Sequence, residues 1–429
     1  MAEEIRTVIK EYWKKELPET KKREIALSLE PHFINDVVGP RRAGKTYLMF
    51  LTIKKLMEEQ DKEATIYINF ENRKLMPLKE QYFNDIVAFI YAEQLLETYD
   101  TVYLFLDEVQ RMPNWEKYVR SIYDEFKGGI KIFVSGSSAN LLSREYASLL
   151  TGRHLTTRVF PLSFTEFLGF KGCSTDCDTE QERALLNRHL KAYLHYGGFP
   201  DVVLAHEKED ILSQLFMDIV SRDVLSRVDV RKEDVLDEFA YHLASNVSSL
   251  LSFNKMKHYF DSRGIHISVP TLTTYFSHLR NAFLFFDSRI FSYNVKDQMQ
   301  YPRKIYCVDN GIANIAGFKT SQDLGALYEN TVAIELLRRG NNLYYWKSKR
   351  QKEVDFVIKK GTDVGHLIQV CTDIRDTDTR KRETTALLKA MDEFGLEEGL
   401  IITGSTTKRE TVDGKKLHYM PLLDWLLKR

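Results

Sequence analysis

The residues best suited to chemistry are Gly39-Pro40-Arg41-Arg42-Ala43-Gly44-Lys45-Thr46. They fit the pattern G-x-x-x-x-G-K-[ST] in full, the sequence of a phosphate-binding P-loop. Glycines let a backbone curl closely around phosphate oxygens. Exposed amides at a helix start, with the helix dipole behind them, attract the anion. Lys45 is expected to reach the β- and γ-phosphates of a nucleoside triphosphate, and Thr46 to place its hydroxyl on magnesium. A chance glycine-rich turn would carry similar letters, but without a strand before it and a helix after it.

A second group, Asp107-Glu108, ends the apolar run TVYLFLD. A buried strand delivers Asp107 to the carboxyl edge of a sheet, where ligands collect. Asp107 is assigned to magnesium, through water. Glu108 is assigned to the attacking water, which it orients and deprotonates. The pair favours hydrolysis over binding alone. Ser135, Ser137 and Ser138, in VSGSS, are candidates for contact with the γ-phosphate or the water. Asn69 is a candidate partner that holds Glu108 inactive. Arg153, in TGRH, is a candidate arginine finger, in cis or on a neighbouring subunit. The plain alternatives are helix caps for the strand-end polar residues and a surface salt bridge for Arg153.

The elements that must position these groups follow from pattern. Residues 1 to 30 read as helical and charged, with Pro18 and Pro31 as punctuation, and Phe33 to Val38 as a short apolar strand. YLMFLTIKKLMEE is an amphipathic helix, ATIYINFEN a strand, and Tyr82 to Tyr99 one long helix. NWEKYVRSIYDEF is a helix and KIFVSGSS the next strand. Strands alternating with helices predict a parallel α/β sheet covered on both faces. After about residue 160 a helix-rich stretch begins, with YGGFPD as a turn inside it. From 325 to 429 the order reads helix, three strands, helix, strand.

Composition sets limits. A chain of 429 residues suits two to four domains. Lys plus Arg and Asp plus Glu balance at 61 each, so total charge announces no nucleic acid. No apolar run is long enough to span a bilayer, and the first residues lack a signal-peptide block. A cytoplasmic protein with no membrane partner is expected. Cys173 and Cys177 read as two loop thiols, since a metal site needs two more ligands nearby.

Taken in order, GPRRAGKT, INFEN, FLDEVQRMPNWE, SGSSANLLS, TGR, PLSFTEF, GGFP, SRDVL, YCVDNGIAN, LYENTVAIELLRRG and YYWKSKRQKEVDFVI resemble archaeal and bacterial AAA-type ATPases of uncharacterised role. In that family a P-loop domain precedes a winged helix and a restriction-endonuclease-like domain. The resemblance implies ATP with Mg2+ and an AAA-like core with a helical lid. The expected domains are a P-loop ATPase (1–165), a helical lid (166–250), a winged helix (251–324) and an inactive restriction-endonuclease-like α/β domain (325–429).

Residues 254 to 304 hold eight Lys or Arg against three Asp. VPTLTTYFSHLRNAFLFF reads as a helix able to enter a major groove, with Thr271, Thr273, Thr274, His278 and Arg280 as its polar residues. IFSYNVKDQMQYPRKIYCVD reads as two strands around a tip, with Lys296, Arg303 and Lys304 for phosphates. A protein-docking or lid module has the same rhythm. Active restriction-endonuclease-like enzymes pair an acid with a spaced (Asp/Glu)-x-Lys. Here Asp355 matches the metal-binding acid, Gln369 stands at the second acid position, and Cys371 replaces the lysine. Glu329 or Glu335 is a candidate further carboxylate. A thiol cannot polarise a water as an ammonium does, so a retained fold used for binding or packing is expected.

Together these readings predict an ATP-hydrolysing protein acting as a DNA-associated switch or motor on double-stranded or branched DNA. The alternatives are a signalling ATPase that works through a protein partner, and an ATP-gated nuclease. A neighbour-supplied arginine would require a homo-oligomer.

Overall fold

The computed structural model of the chain describes residues 3–137, 152–225, 233–317 and 324–428. The chain divides into two compact units, residues 1–160 with 281–283 and residues 161–280 with 284–429.

The first unit runs α1 (Glu3–Lys14), β1 (Ile34–Val38), α2 (Lys45–Leu56), β2 (Thr65–Asn69), α3 (Tyr82–Ala92), β3 (Val102–Asp107), α4 (Trp115–Glu125), β4 (Ile130–Gly136) and β5 (His154–Arg158). Its strands form one sheet in the order β2-β3-β4-β1-β5, and every pairing is parallel. The all-parallel five-stranded sheet is consistent with a P-loop NTPase fold. Every residue of β1 and β4 is buried, as parallel strands between two layers require. Phe105 and Phe133 stack in the core with ring centroids 4.4 Å apart, beside Leu48, Met49 and Ile53 of α2.

Two expectations fail here. Residues 1 to 30 are not one helical stretch, because α1 stops at Lys14, shortly before Pro18, which lacks the amide a helix interior needs. The chain beyond is tied down by side chains instead, with Lys54 Nζ donating to the Pro18 carbonyl at 2.7 Å. The helix predicted over 82–99 ends at Ala92, because Gln94 adopts φ 55° and only the single turn Leu95–Thr98 follows.

The second unit begins with helices α5 (Phe164–Phe170), α6 (Glu180–Tyr196), α7 (Pro200–Leu204), α8 (Lys208–Asp218) and α9 (Glu233–Ser245). Next come β6 (Ser249–Leu251), α10 (Phe253–Ser262), α11 (Val269–Asn281), β7 (Phe285–Ile290), α12 (Val295–Gln300), β8 (Arg303–Cys307) and α13 (Asn310–Ala316). The chain closes with α14 (Leu324–Arg338), β9 (Tyr344–Lys347), β10 (Glu353–Lys360), β11 (Asp363–Cys371), α15 (Thr377–Phe394), β12 (Glu398–Thr403), β13 (Lys408–Val412), β14 (Lys415–Pro421) and α16 (Leu422–Leu427). The tail therefore carries two more strands and a helix than the sequence pattern predicts. The predicted tip between β7 and β8 is built by the short helix α12.

One sheet runs β13-β14-β12-β11-β10-β9-β7-β8-β6. It joins two segments that the sequence reading kept apart. Strand β7 pairs with β8 through residues 285 to 288 and with β9 through 289 and 290. Phe164, Phe167 and Tyr193 share a core with Tyr306, Phe356 and Leu422, so the helices after residue 160 pack with the carboxyl-terminal strands. The GGFP and VDNG segments meet at Asp309, whose carboxylate accepts from the amides of Gly198 (2.7 Å) and Gly311 (2.8 Å). A Cβ on Gly197 would lie 1.7 Å from that carboxylate, which fixes glycine there.

Candidate functional site

At the carboxyl end of β1 the backbone turns sharply. Gly39 has φ 154°, and a Cβ there would stand 2.1 Å from the carbonyl oxygen of Val159. Gly44, at φ 95°, caps α2 in a conformation that favours glycine. Pro40, Arg41, Arg42 and Ala43 form the turn between them. Lys45 is buried and donates to the carbonyls of Gly39 (3.0 Å) and Pro40 (2.9 Å), which folds its ammonium over the loop. Arg23, which sequence reading missed, braces the same loop. It donates to the Ala43 carbonyl at 3.0 Å and to the Phe160 carbonyl at 2.9 Å. No local pattern marks Arg23, because it acts across the fold.

Strand β3 brings Asp107 to this edge. Its Oδ2 accepts from Thr46 Oγ1 at 2.7 Å, from Tyr67 Oη at 2.7 Å and from Asn69 Nδ2 at 3.4 Å. Its Oδ1 accepts from Ser135 Oγ. Thr46 and Asp107 therefore present a hydroxyl and a carboxylate side by side, the hard oxygen donors magnesium takes. Among the described residues the hydrogen-bond partners of the Asp107 carboxylate are neutral side chains, so its charge is left for a cation. The donor set fits Mg2+ held by Thr46 and Asp107. Bound there with a nucleotide, the ion would supply charge neutralisation between phosphate oxygens.

Glu108 follows in a left-handed conformation, φ 53° and ψ 40°, unusual for a residue with a Cβ. Burial pushes its carboxyl above the usual glutamate range. The nearby Lys45 charge opposes that shift, and Asp107 reinforces it. Gln110 donates its amide to Glu108 Oε2 at 2.5 Å. This corrects the sequence expectation for Asn69, whose side chain serves Asp107 and the Glu71 amide, the latter at 2.7 Å, and makes no bond to Glu108. Asn69 ends β2 one strand from Glu108, whereas Gln110 lies two residues along the same turn.

Ser135 also receives the Glu108 amide at 3.2 Å, so it organises the carboxylates from β4. Ser137 is buried just beyond that strand. Ser138 lies outside the described residues. Arg153 precedes β5, and its carbonyl accepts from Ile34, the first residue of β1. It stands at the amino edge of the sheet, across the length of β1 from the P-loop. Arg158, paired in register with Val38, is the β5 arginine at the P-loop edge. Arg153 thus lies at the far end of β5 from this chain's own P-loop, which bears on its action in cis and not on its action from a neighbouring subunit.

In the second unit, Asp355 and Gln369 do come together, as expected, with the Asp355 amide donating to Gln369 Oε1 at 3.3 Å. Glu329 joins them, while Glu335 turns away to Arg339 at 2.8 Å. Lys304, expected on a phosphate-facing surface, is 3% exposed and sits among these acids. Arg303 and Arg280, also assigned to DNA, both donate to Asp287, at 3.1 and 3.2 Å. Cys173 and Cys177 are free thiols, and Cys173 lies 3.2 Å from His189 Nε2. No described helix is long and apolar enough to cross a membrane.

Residues 32–168 match the profile of an AAA domain, and residues 187–323 and 324–424 match two domains of unknown function. A solved Walker-type ATPase of Pyrococcus abyssi aligns at 14% identity and a TM-score of 0.44, covering 70% of this chain and 98% of its own. An uncharacterized protein of Haemophilus influenzae is 32% identical, over 92% of this chain and 94% of its own length. An uncharacterized protein of Methanocaldococcus jannaschii is 34% identical, over 94% of this chain and 90% of its own. With likeness of that depth along nearly the whole length, the chain belongs to the same family as these two uncharacterized proteins.

Proposed function

We propose that the protein binds ATP with Mg2+ and hydrolyses it. The observation that carries this reading is the contact of Thr46 Oγ1 with Asp107 Oδ2 at 2.7 Å, with Glu108 next in the chain and Lys45 folded over the same loop. The roles follow from the chemistry. Backbone amides from Gly39 to Thr46 bind phosphate oxygens. Lys45 leaves its carbonyl partners for the terminal phosphates. Glu108, made more basic by burial, takes the proton of the attacking water. Gln110 holds Glu108 by one hydrogen bond and sets when that carboxylate is free to turn. Ser137 and a neighbour's Arg153 remain candidates for the γ-phosphate.

The test is steady-state phosphate release from ATP with the purified chain, beside nucleotide affinity. Lys45→Ala is expected to lose tight binding. Glu108→Gln is expected to keep binding and lose turnover. Normal turnover in Glu108→Gln sinks the assignment of the base.

A second reading concerns what the energy moves. The order α9, β6, α10, α11, β7, β8 supports a winged helix in the second unit. Its basic side chains are largely committed, however, with Lys304 buried and Arg280 and Arg303 on Asp287. Around α12, Tyr293 (75% exposed) and Met299 (74% exposed) present apolar surface. The commitment of these basic side chains favours the signalling ATPase with a protein partner over the DNA switch. Turnover measured with duplex, branched and single-stranded DNA decides it. Salt-sensitive stimulation by any of these DNAs restores the DNA reading.

A further inference from the structure

We infer that Lys304 is the built-in cation of the second unit's acid cluster and closes that cluster to divalent metal. Resemblance to restriction-endonuclease-like enzymes implies a divalent ion on Asp355, and the residues present do not fit one. An ammonium has three N–H donors. Lys304 places them on three carboxylates, Asp355 Oδ1 (2.8 Å), Glu353 Oε1 (2.8 Å) and Glu329 Oε1 (2.9 Å).

The second oxygens of Asp355 and Glu353 are engaged as well. Asp355 Oδ2 accepts from the Val370 amide at 2.9 Å, and Lys347 lies 3.6 Å from Glu353 Oε2. Glu329 Oε1 also accepts from Tyr306 at 2.7 Å. Gln369 spends its oxygen on the Asp355 amide and its NH2 on Glu383 at 2.6 Å. It therefore turns a donor, not a metal ligand, toward Glu383. Among the described residues no group of three His, Cys, Asp or Glu is arranged to hold a metal ion.

Lys304 cannot withdraw cheaply. It lies within β8, paired to Ser288 on one side and Leu250 on the other, and is almost fully buried. Leaving its partners would strand a buried charge and the carboxylates together. Burial alone would lower its pKa, yet the surrounding acids hold it well above the usual lysine range. The ammonium is a fixed charge, and a dication beside it meets like-charge repulsion. Above the cluster opens a groove of about 770 Å³, lined by Glu329, Glu353, Asp355, Gln369, Arg382 and Glu383. The sequence showed a site that had lost its lysine at position 371. The structure brings in a lysine from another strand, at the place the cation would take.

The test is Mn2+ binding, read by electron paramagnetic resonance, on the full nucleotide-free chain. Asp107→Asn serves as background, because it removes the P-loop's own ligand. The parent is expected to bind no Mn2+ through the cluster. Lys304→Met, or Lys304→Gln where the first does not fold, is expected to bind Mn2+ at least about tenfold more tightly than the parent. Adding Asp355→Asn should abolish that gain. Mn2+ bound by the parent and lost on Asp355→Asn overturns the inference, and needs no Lys304 variant. A folded Lys304 variant that gains no Mn2+ site overturns it too.

Discussion

Gln110 offers the sharpest test of the hydrolytic reading. In the structure its amide donates to Glu108 Oε2 at 2.5 Å, in a partly buried turn. A hydrogen bond to a charged acceptor contributes roughly 1.5–3 kcal/mol. On the proposed reading Oε2 is the oxygen that takes the proton from water, so Glu108 gives up that bond, which stabilises the resting arrangement and not the transition state. Gln110→Ala removes it. At the lower bound of about 1.5 kcal/mol, kcat should rise roughly tenfold. Water that replaces the amide would reduce the gain, and the left-handed backbone of Glu108 works to keep the carboxylate in place. The measurement is kcat and KM for ATP, with nucleotide affinity and Tm measured alongside. A purely structural residue can lower kcat on removal but has no means to raise it at constant KM. A kcat that falls, or stays within about twofold of the parent, refutes the restraint. A fall as deep as that of Glu108→Gln would mean that Gln110 orients the base productively.

Other expectations follow from the same geometry. Gly39→Ala sets a Cβ against the Val159 carbonyl at 2.1 Å, backbone against backbone, and should lower stability by about 3 kcal/mol with loss of nucleotide binding. Thermal unfolding and nucleotide titration check it, and a normally folded, nucleotide-binding variant sinks the argument. His154 bonds the buried Asp36 carboxylate at 2.5 Å, which raises its pKa above the ordinary histidine value. A raised folded pKa gives stability that is full below the unfolded value of about 6.5 and is lost as pH rises through the folded one. Stability should therefore fall by about 1 kcal/mol across that alkaline window, and His154→Gln should flatten the curve. Denaturant unfolding at pH 6 and pH 9 decides between them.

Much of the first unit was legible in the sequence because its signals are local. GPRRAGKT needs only its own glycines and the helix that follows, and LFLDE needs only an apolar run ending in acids. Strands β1 and β3 read as apolar runs, and β2 as an alternating one, for the same reason. What escaped depends on distant chain. Arg23 braces the P-loop from the amino-terminal segment, and nothing around it in sequence differs from a surface arginine. Lys304 looked like a phosphate contact because it stands in a basic run, and only the pairing of β7 with both β8 and β9 folds it inward. Arg153 and Arg158 are five residues apart on one extended segment, and only the parallel register to β1 shows which one reaches the P-loop edge. Strand β13 (KRETV) holds a single apolar residue and β14 (KKLHYMP) opens on two adjacent lysines, so neither stands out as a strand by alternation.

The two carboxylate centres of this chain show how the choice of donor sets the fate of an acid. Asp107 is held by hydroxyls and an amide from Thr46, Tyr67, Ser135 and Asn69. Such partners fix geometry without cancelling charge, so the carboxylate keeps its attraction for an incoming cation. Asp355 is held by a backbone amide and an ammonium. Its charge is already answered by Lys304, and burial pushes the nearby Glu329 carboxyl up, a shift that Asp355 reinforces and Lys304 opposes. On the proposed function the first centre takes up and releases a metal with each nucleotide, whereas on the inference above the second is finished when the chain folds. A protein built this way spends nucleotide chemistry at one sheet edge only, and the other acid cluster serves to tie β8, β10 and α14 into one unit. Removing the charge at Lys304 should therefore cost stability as well as admit metal, whereas neutralising Asp107 should remove metal-dependent turnover and leave the second unit's stability unchanged.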